Sequence, residues 1–294
     1  MGKVAPDAGF TQKPSSISTM LTFFARLSVV LLTALMTQTG FGQAVKSSPK
    51  AYTYLIFHKL SPGLTIQDAL PVEREWRAIN QAAVDEGNLI GWYMLVKQMS
   101  SNTNPTEYDY VTVIVSREMS LKGASPVAMA RLYGDSVKTR MADLQKRDRA
   151  AAPVVKMEIW ETVDAVFNAD FAPDKTPLVV LDLMRLRDPG ANWSGLVAPM
   201  KRLVQERMKE SALNGWNFSR LVVPNGSEKG YGLLVARSVA GLNVLSSAGT
   251  TGLTAETAKI QDQLTRTFDV VRQEVFRITE YTSLPKQATN IQAK

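Results

Sequence analysis

Apolar residues along this chain follow two spacings, one typical of strands and one typical of helices. Residues 51–58 are rich in aromatic and β-branched side chains and predict a strand, which Ser61-Pro62-Gly63 ends. The helix predicted next begins at Ile66 or Pro71 and ends at Glu86, because apolar side chains recur there at helical spacing. The same reasoning predicts strands 91–99, 108–115 and 153–161, and a helix over 126–149 that is broken near Gly134-Asp135. The order β-α-β-β-α-β is that of a ferredoxin-like unit.

The same order then occurs a second time. The later half predicts strands 178–186, 215–223, 231–238 and 272–281, with helices over 194–212 and 254–270. In both halves a helix leads into a Leu-x-Gly-Trp segment that ends in Gly91-Trp92 or Gly215-Trp216, so the chain contains an internal repeat. The predicted organisation is a first unit over 45–165, a linker over 166–177, a second unit over 178–283 and a polar tail over 284–294.

One such unit leaves an apolar sheet face uncovered, and two units can cover each other's faces. On this element order and the paired Gly-Trp segments, residues 51–283 resemble the dimeric α/β-barrel superfamily, with two copies fused in one chain. The resemblance implies an α+β fold in which tandem ferredoxin-like units pack sheet to sheet as an intrachain barrel that needs no oligomer to close. Two separate cores are expected, listed by unit: Leu55, Ile79, Val84, Leu95, Val113 and Ile159; then Leu181, Leu203, Met208, Leu234 and Ile278.

The superfamily is functionally diverse, and the resemblance transfers no catalytic residue. Some members are cofactor-free monooxygenases, some bind haem, some isomerise small lactones, and many have no known activity. Fold alone therefore does not identify a reaction.

Composition excludes several kinds of chemistry. The chain of 294 residues has no cysteine and one histidine, which excludes disulfides, thiolate metal sites and multi-histidine metal sites, so no metal is expected. The net charge of +7 is spread among acidic residues, and the short basic run Lys146-Arg147-Asp148-Arg149 is typical of a solvated helix face. No nucleic-acid partner is expected.

The N-terminal segment predicts export. Arg26 precedes an apolar run, Leu27–Met36, that is too short for a comfortable membrane span, and Gly42-Gln43-Ala44 offers small residues for cleavage. Residues 1–44 are therefore predicted to be a signal peptide, with Met20 as a plausible true start and an uncleaved anchor helix as the alternative. The mature protein is expected in the periplasm or outside the cell, without a stable membrane span.

His58 is the only imidazole and therefore the first candidate for acid–base chemistry or haem ligation. On a strand it shares one face with Tyr52, Tyr54 and Ile56. If that face points into the barrel, His58 lies at the mouth of a cavity with Tyr54 behind it. The alternative is a structural histidine at the end of a strand. Counting from the following Pro-Gly pairs, the counterpart of His58 in the second unit is Arg185.

Tryptophans supply the remaining candidates. Trp92 and Trp216 recur in both copies and so indicate packing, whereas Trp76, Trp160 and Trp193 lack a Trp counterpart and are candidates to line an asymmetric pocket. Trp160 is matched to Tyr281. The predicted catalytic candidates are His58 and Tyr54, and the predicted ligand-binding residues are Tyr52, Tyr54, His58, Arg185 and Trp160.

Two main functions are consistent with these residues. The first is an exported protein that is non-enzymatic or binds a small apolar ligand, without a cofactor. The alternative is a cofactor-free or haem-dependent monooxygenase-like oxidoreductase acting on a small aromatic or apolar substrate. A third possibility is a domain that assembles with other envelope proteins. The sequence leaves open whether the protein is an enzyme.

Overall fold

Eight antiparallel strands close into one barrel in the computed structural model, in the order β1-β3-β2-β8-β5-β7-β6-β4. The strands are β1 Tyr52–His58, β2 Gly91–Ser100, β3 Tyr110–Ser116, β4 Val154–Phe167, β5 Leu178–Leu186, β6 Leu213–Val223, β7 Leu233–Val239 and β8 Phe268–Tyr281. The structure describes residues 50–102, 104, 107–169, 171–210, 213–226, 229–243 and 254–283. The predicted signal peptide and the whole polar tail lie outside these residues. Within them, no helix is long and apolar enough to cross a membrane.

The barrel is made of the two predicted units. Strands β1–β4 belong to the first and β5–β8 to the second, and the units join where β4 pairs with β6 and β2 pairs with β8. The barrel closes within one chain. The chain therefore has the predicted dimeric α/β-barrel fold, an α+β arrangement of tandem ferredoxin-like units.

Within the described residues, five α-helices cover the outside of the barrel. They are α1 Ile66–Asp85, α2 Pro126–Tyr133, α3 Val137–Ala151, α4 Val197–Glu210 and α5 Ala255–Thr267. Ser125 begins α2 by accepting a hydrogen bond from the Ala128 amide, and Thr254 caps α5 in the same way. Gly134, at φ 58°, separates α2 from α3, as the sequence predicted.

The end of β4 and the start of β8 differ most from the predicted boundaries, both because barrel closure requires long strands. β4 continues to Phe167, inside the predicted linker, and pairs with β6 as far as Gly215. The predicted helix over 254–270 ends at Thr267, because Phe268 already pairs with Leu186 on β5.

The inner faces of all eight strands share one core, so the expectation of two separate cores is wrong. Leu55, Leu95 and Val113 of the first unit pack in the same cluster as Leu181 and Leu234 of the second. Ile79 and Val84 lie instead in small clusters beneath α1, outside the barrel. The physical reason is that each sheet covers the apolar face of the other.

Strand register relates the two units position by position. Leu55 pairs with Glu158 in the first unit, and Leu181 pairs with Glu274 in the second. The strand register shifts just before His58 in the first unit and just before Met184 in the second. After the shift, His58 pairs with Val154 and Met184 pairs with Val270. The counterpart of His58 is therefore Met184, which corrects the predicted match to Arg185.

Trp160 is also matched differently from the prediction. It pairs with Thr53 on β1, as Phe276 pairs with Val179 on β5. Its counterpart is Phe276 rather than Tyr281, because β8 is long enough to pair with β5 at Phe276 and to continue along β2 as far as Tyr281.

Candidate functional site

The strand face that carries His58 points away from the barrel interior. Leu55 and Phe57 belong to the central core, whereas His58 stacks on Tyr110, which packs with residues of α1 outside the barrel. The condition for placing His58 at a cavity mouth with Tyr54 behind it, that this face points into the barrel, is therefore not met. The inner positions of β1 are taken by the more apolar side chains, which the shared core requires.

The five predicted ligand residues do not meet. Tyr54 donates a hydrogen bond to the Met119 carbonyl, and Tyr52 lies under the Lys50 ammonium. Trp160 is buried in the barrel core, and Arg185 is exposed in an ion pair with Asp269. Their assignment to a ligand site stays a prediction, without a common cavity to support it.

Side chains fill the barrel interior, including an ionic network. Glu158 is fully buried and accepts hydrogen bonds from Lys229 Nζ at 2.5 Å, Tyr231 Oη at 2.6 Å and Trp160 Nε1 at 3.1 Å. Burial alone raises the pKa of Glu158, but Lys156 and Lys229 more than offset this and hold the pKa below its ordinary value. Glu158 is therefore an ionised, fully partnered carboxylate.

The second unit contributes the matching half of this network. Glu274 accepts hydrogen bonds from Tyr108, from Arg272 Nη2 at 2.8 Å and from Ser100 Oγ at 3.0 Å. Glu107 joins the halves through Arg272 at 2.5 Å and Lys156 at 3.5 Å. Because each unit's tyrosine bonds the other unit's glutamate, the network holds the two sheets together rather than lining a cavity.

A second buried polar cluster lies outside the barrel, between the sheet and helices α1 and α3. His58 Nδ1 is 3.1 Å from the Ala152 carbonyl, and His58 Nε2 is 3.0 Å from Thr112 Oγ1. The Glu73 carboxyl accepts a hydrogen bond of 2.6 Å from Tyr110 Oη. One ligand atom each from His58, Glu73 and Asp148 lies within 4.8 Å of the others. We call these three residues the His58 cluster.

The second unit shows that the fold does not need polar groups at these places. His58 pairs with Tyr110 on β3, and their counterparts Met184 and Leu233 pair with each other. Counted back from the paired Trp92 and Trp216, the counterpart of Glu73 is Val197. Counted back from the paired Trp160 and Phe276, the counterpart of Asp148 is Leu264. All four counterparts pack in the apolar cluster beneath α4 and α5: Met184, Leu233, Val197 and Leu264.

This difference marks the His58 cluster as a candidate site. Buried carboxylates and imidazoles are costly, and apolar replacements of similar size are often neutral or stabilising. Here the molecule itself provides the apolar version in its other half.

Burial dominates the electrostatics of the cluster. Burial lowers the pKa of His58 to about 4, and the hydrogen bond with Ala152 opposes this only in part. Burial raises the pKa of Glu73 to about 7; the Asp148 charge adds to the rise, and the bond from Tyr110 opposes it. Burial also raises the pKa of Asp148. At neutral pH His58 is uncharged, and Glu73 is close to half protonated.

These shifts predict a pH-dependent effect of Glu73→Gln in buffer kept metal-free with EDTA. The pKa of Glu73 is near 4.5 in the unfolded chain and about 7 in the folded protein. The carboxyl therefore contributes fully to stability below pH 4.5, and this contribution is lost as the pH rises through 7. His58 acts oppositely, losing stability as pH falls from 6.5 to about 4, so the two effects largely cancel in the wild type. Urea unfolding gives the free energy of unfolding of both proteins at pH 4.5 and at pH 8. From the lower to the higher pH, this free energy should rise by roughly 2–4 kcal/mol more in the variant than in the wild type. Parallel stability curves for the two proteins would contradict this assignment.

A haem does not fit at His58. Its side chain is buried, both ring nitrogens are hydrogen-bonded, and Tyr110 stacks on one ring face with centroids 4.6 Å apart. A porphyrin needs open space on the side of a ligating nitrogen, and Ala152 and Thr112 occupy both such sides. The haem-dependent alternative therefore has no histidine ligand in this chain, because His58 is the only one.

The outer surface holds an open groove where β4 meets β6. It encloses about 400 Å³ and is lined by Lys50, Glu161, Thr162, Val163, Trp193 and Arg220. Glu161 is held between Lys50 and Arg220, with Arg220 Nη2 at 2.5 Å. Trp193 is partly exposed and meets Phe218 edge-on at 5.5 Å. We call this the Trp193 groove.

The groove lies at one of the two seams between the units, and its Glu161–Arg220 ion pair has no counterpart at the other seam. The pair Glu161 and Arg220 on β4 and β6 corresponds to Arg277 and Val96 on β8 and β2. Of the three tryptophans without a Trp counterpart, Trp193 lines this groove. Trp160 lies in the barrel core, and Trp76, on α1, packs against the cluster between that helix and the sheet.

Comparison with solved structures gives the same fold. A candidate monooxygenase from Fusobacterium nucleatum superposes with a TM-score of 0.50 at 8% identity, covering 80% of this chain and 95% of that one. A haem-binding protein from Thermus thermophilus gives 0.43 at 8% identity, covering 82% and 96%. A chlorite dismutase from Candidatus Nitrospira defluvii gives 0.42 at 9% identity, covering 85% and 95%. No protein-family model and no curated protein matches the sequence. At these identities the likeness extends to the dimeric α/β-barrel fold and no further.

Sequence reasoning singled out His58 but missed its companions. Glu73 sits on the buried face of α1 with Ala69 and Leu70, and Asp148 lies one helical turn from Leu144 on α3. The usable signal was an acidic residue on an apolar helix face, opposite an apolar residue in the other repeat.

Proposed function

We propose that this protein is an exported, non-enzymatic binding protein that takes one small apolar or aromatic molecule in the Trp193 groove. The observation that carries the proposal is the contrast between the filled barrel interior and the open groove of about 400 Å³ beside an accessible indole. Small-molecule sites combine apolar walls with a few fixed polar groups. In the groove, Trp193 and Val163 supply apolar surface beside the polar or charged side chains of Lys50, Glu161, Thr162 and Arg220.

Each wall of the groove has a part in this proposal. Trp193 and Val163 offer apolar surface, and Val163 is 37% exposed. Lys50 and Arg220 are held in place by the buried Glu161 carboxylate, so their remaining N–H groups are oriented without further ordering. Such a site suits a flat molecule that stacks on the indole and carries one hydrogen-bond acceptor.

Export is part of the same proposal. It is supported by Arg26, the apolar run Leu27–Met36 and the small residues Gly42-Gln43-Ala44. Protein recovered from the cell envelope should then begin near Val45.

The test is ligand binding by thermal shift with phenylacetate, which carries a carboxylate acceptor, as the probe. The wild type should gain several degrees in Tm at millimolar probe, because a ligand that binds only the folded state raises its stability. Trp193→Ala should abolish the gain and Arg220→Gln should weaken it. Arg185→Gln is the matched control, since Arg185 is an exposed arginine in an ion pair of similar length.

Two results would overturn the proposal that the ligand binds in the Trp193 groove. The first is an unchanged probe shift in both groove variants, and the second is loss of the shift in Arg185→Gln alone. The latter would return the ligand site to the residues predicted from sequence.

A further inference from the structure

We propose that His58, Glu73 and Asp148 form a binding site for one divalent transition-metal ion, between the barrel and helices α1 and α3. This goes beyond the proposed small-ligand groove and does not depend on it. It also departs from the sequence-based expectation that the protein has no metal site.

Geometry is the first support. The three ligand atoms lie within 4.8 Å of one another. Ligands about 2.1 Å from a tetrahedral ion lie about 3.4 Å apart, so each side chain would move inward by less than about 1 Å. The site is also partly open, since Asp148 retains some exposure while His58 and Glu73 are buried.

An unsatisfied atom is the second support. Asp148 Oδ1 is fully buried and has no hydrogen-bond partner among the described residues. A buried acceptor without a partner is costly and calls for an explanation such as an ion. A cation between Asp148 and Glu73 would supply the missing interaction.

The charge balance of the molecule is the third support. The other buried glutamates have cationic partners: Glu158 has Lys229 at 2.5 Å, and Glu274 has Arg272 at 2.8 Å. Within the part of the chain that the structure describes, Glu73 and Asp148 form no ion pair with a lysine or arginine within 4.0 Å. A buried and a partly buried carboxyl beside a neutral imidazole, without a cationic partner, form a site that a divalent ion would compensate.

The hydrogen bonds of His58 are those of a metal ligand's outer shell. The Ala152 carbonyl and the Thr112 hydroxyl can each accept an imidazole N–H. Either nitrogen can therefore keep its proton while the other gives its lone pair to the ion, and the remaining hydrogen bond orients the ring. For coordination through Nε2, the ion replaces the Thr112 contact.

The donor set indicates the class of ion. One imidazole nitrogen with two carboxylate oxygens suits Zn²⁺, Mn²⁺ or Fe²⁺, whereas Ca²⁺ and Mg²⁺ favour oxygen alone. The second unit, with Met184, Val197 and Leu264 in the matching places, offers no such donors.

Isothermal titration of the purified, EDTA-treated chain with Zn²⁺ tests the proposal. The wild type should bind one ion, raise its Tm by several degrees and show weaker or no response to Mg²⁺. Glu73→Gln and Asp148→Asn should each weaken Zn²⁺ binding at least about tenfold, since loss even of outer-shell partners has effects of that size. Asp143→Asn is the control on the same helix, because Asp143 is half exposed and lies outside the cluster.

Visible absorption of the Co²⁺-loaded chain adds a readout that folding alone does not move. Its d–d bands should appear in the wild type and in Asp143→Asn, and should be absent in Asp148→Asn. Circular dichroism confirms that each variant is folded, and Asp148, being partly exposed, gives a folded variant even if Glu73→Gln does not. The proposal is overturned if the wild type binds no Zn²⁺, or if Asp148→Asn binds it with unchanged affinity.

Discussion

Replacing Trp160 with alanine should lower the free energy of unfolding by about 3–5 kcal/mol, the usual loss for a large aromatic side chain removed from a core. Trp160 is fully buried, stacks on Tyr231 with ring centroids 6.2 Å apart and donates to Glu158 at 3.1 Å. Its removal leaves a cavity at the seam between the two units and takes one donor from a buried carboxylate. Urea unfolding followed by far-UV circular dichroism measures the loss.

Trp193→Ala is the control for this prediction. Trp193 is only partly buried against the apolar cluster beneath α4 and α5. Its replacement should therefore lower the free energy of unfolding by less than half as much as that of Trp160. Equal losses for the two variants would show that the barrel interior is not the main source of stability.

Glu158→Gln should be destabilising by about 3–5 kcal/mol, the range for removing one partner of a buried ion pair. Glutamine keeps the size of the side chain but leaves Lys229 and Lys156 without their buried counter-charge, with Lys229 Nζ at 2.5 Å in the wild type. Glu274→Gln should behave similarly, because Arg272 and Tyr108 depend on it in the other unit.

The control is Glu118→Gln, whose pair with Lys122 leaves both side chains 59% exposed. Solvent screens such a pair, so the change should stay below about 0.5 kcal/mol. If Glu158→Gln were as mild as this control, the network would be an incidental feature of the barrel and not a link between its halves.

The role of this network also explains why the barrel interior does not serve as a cavity. Tyr108 and Tyr231 enter from equivalent places before β3 and β7, and each bonds a glutamate of the opposite unit. Together with the apolar side chains of eight strands they fill the interior. The Trp193 groove lies on the outside of the barrel, where Trp193 meets β4 and β6.

The repeat had already determined the architecture. Alternating aromatic and β-branched residues predicted strands such as β5, whose bounds Leu178–Leu186 were predicted without error. Two copies of one unit, each with an exposed apolar face, required those faces to meet, which is the closed barrel. These features follow from local periodicity, and local periodicity is visible in a single sequence.

Strand register and facing were decided only by the tertiary structure. A strand can present either face to a core, and β1 carries aromatic residues on both, so the alternation did not reveal that Phe57 points inward and His58 outward. Irregularities before His58 and Met184 then shifted the matches made by counting along the chain. The His58 cluster also required three separate elements to pack together, since His58 is on β1, Glu73 on α1 and Asp148 on α3. The sequence determined the units and their pairing because these depend on local pattern, whereas the candidate sites arise from long-range contacts that local pattern does not encode.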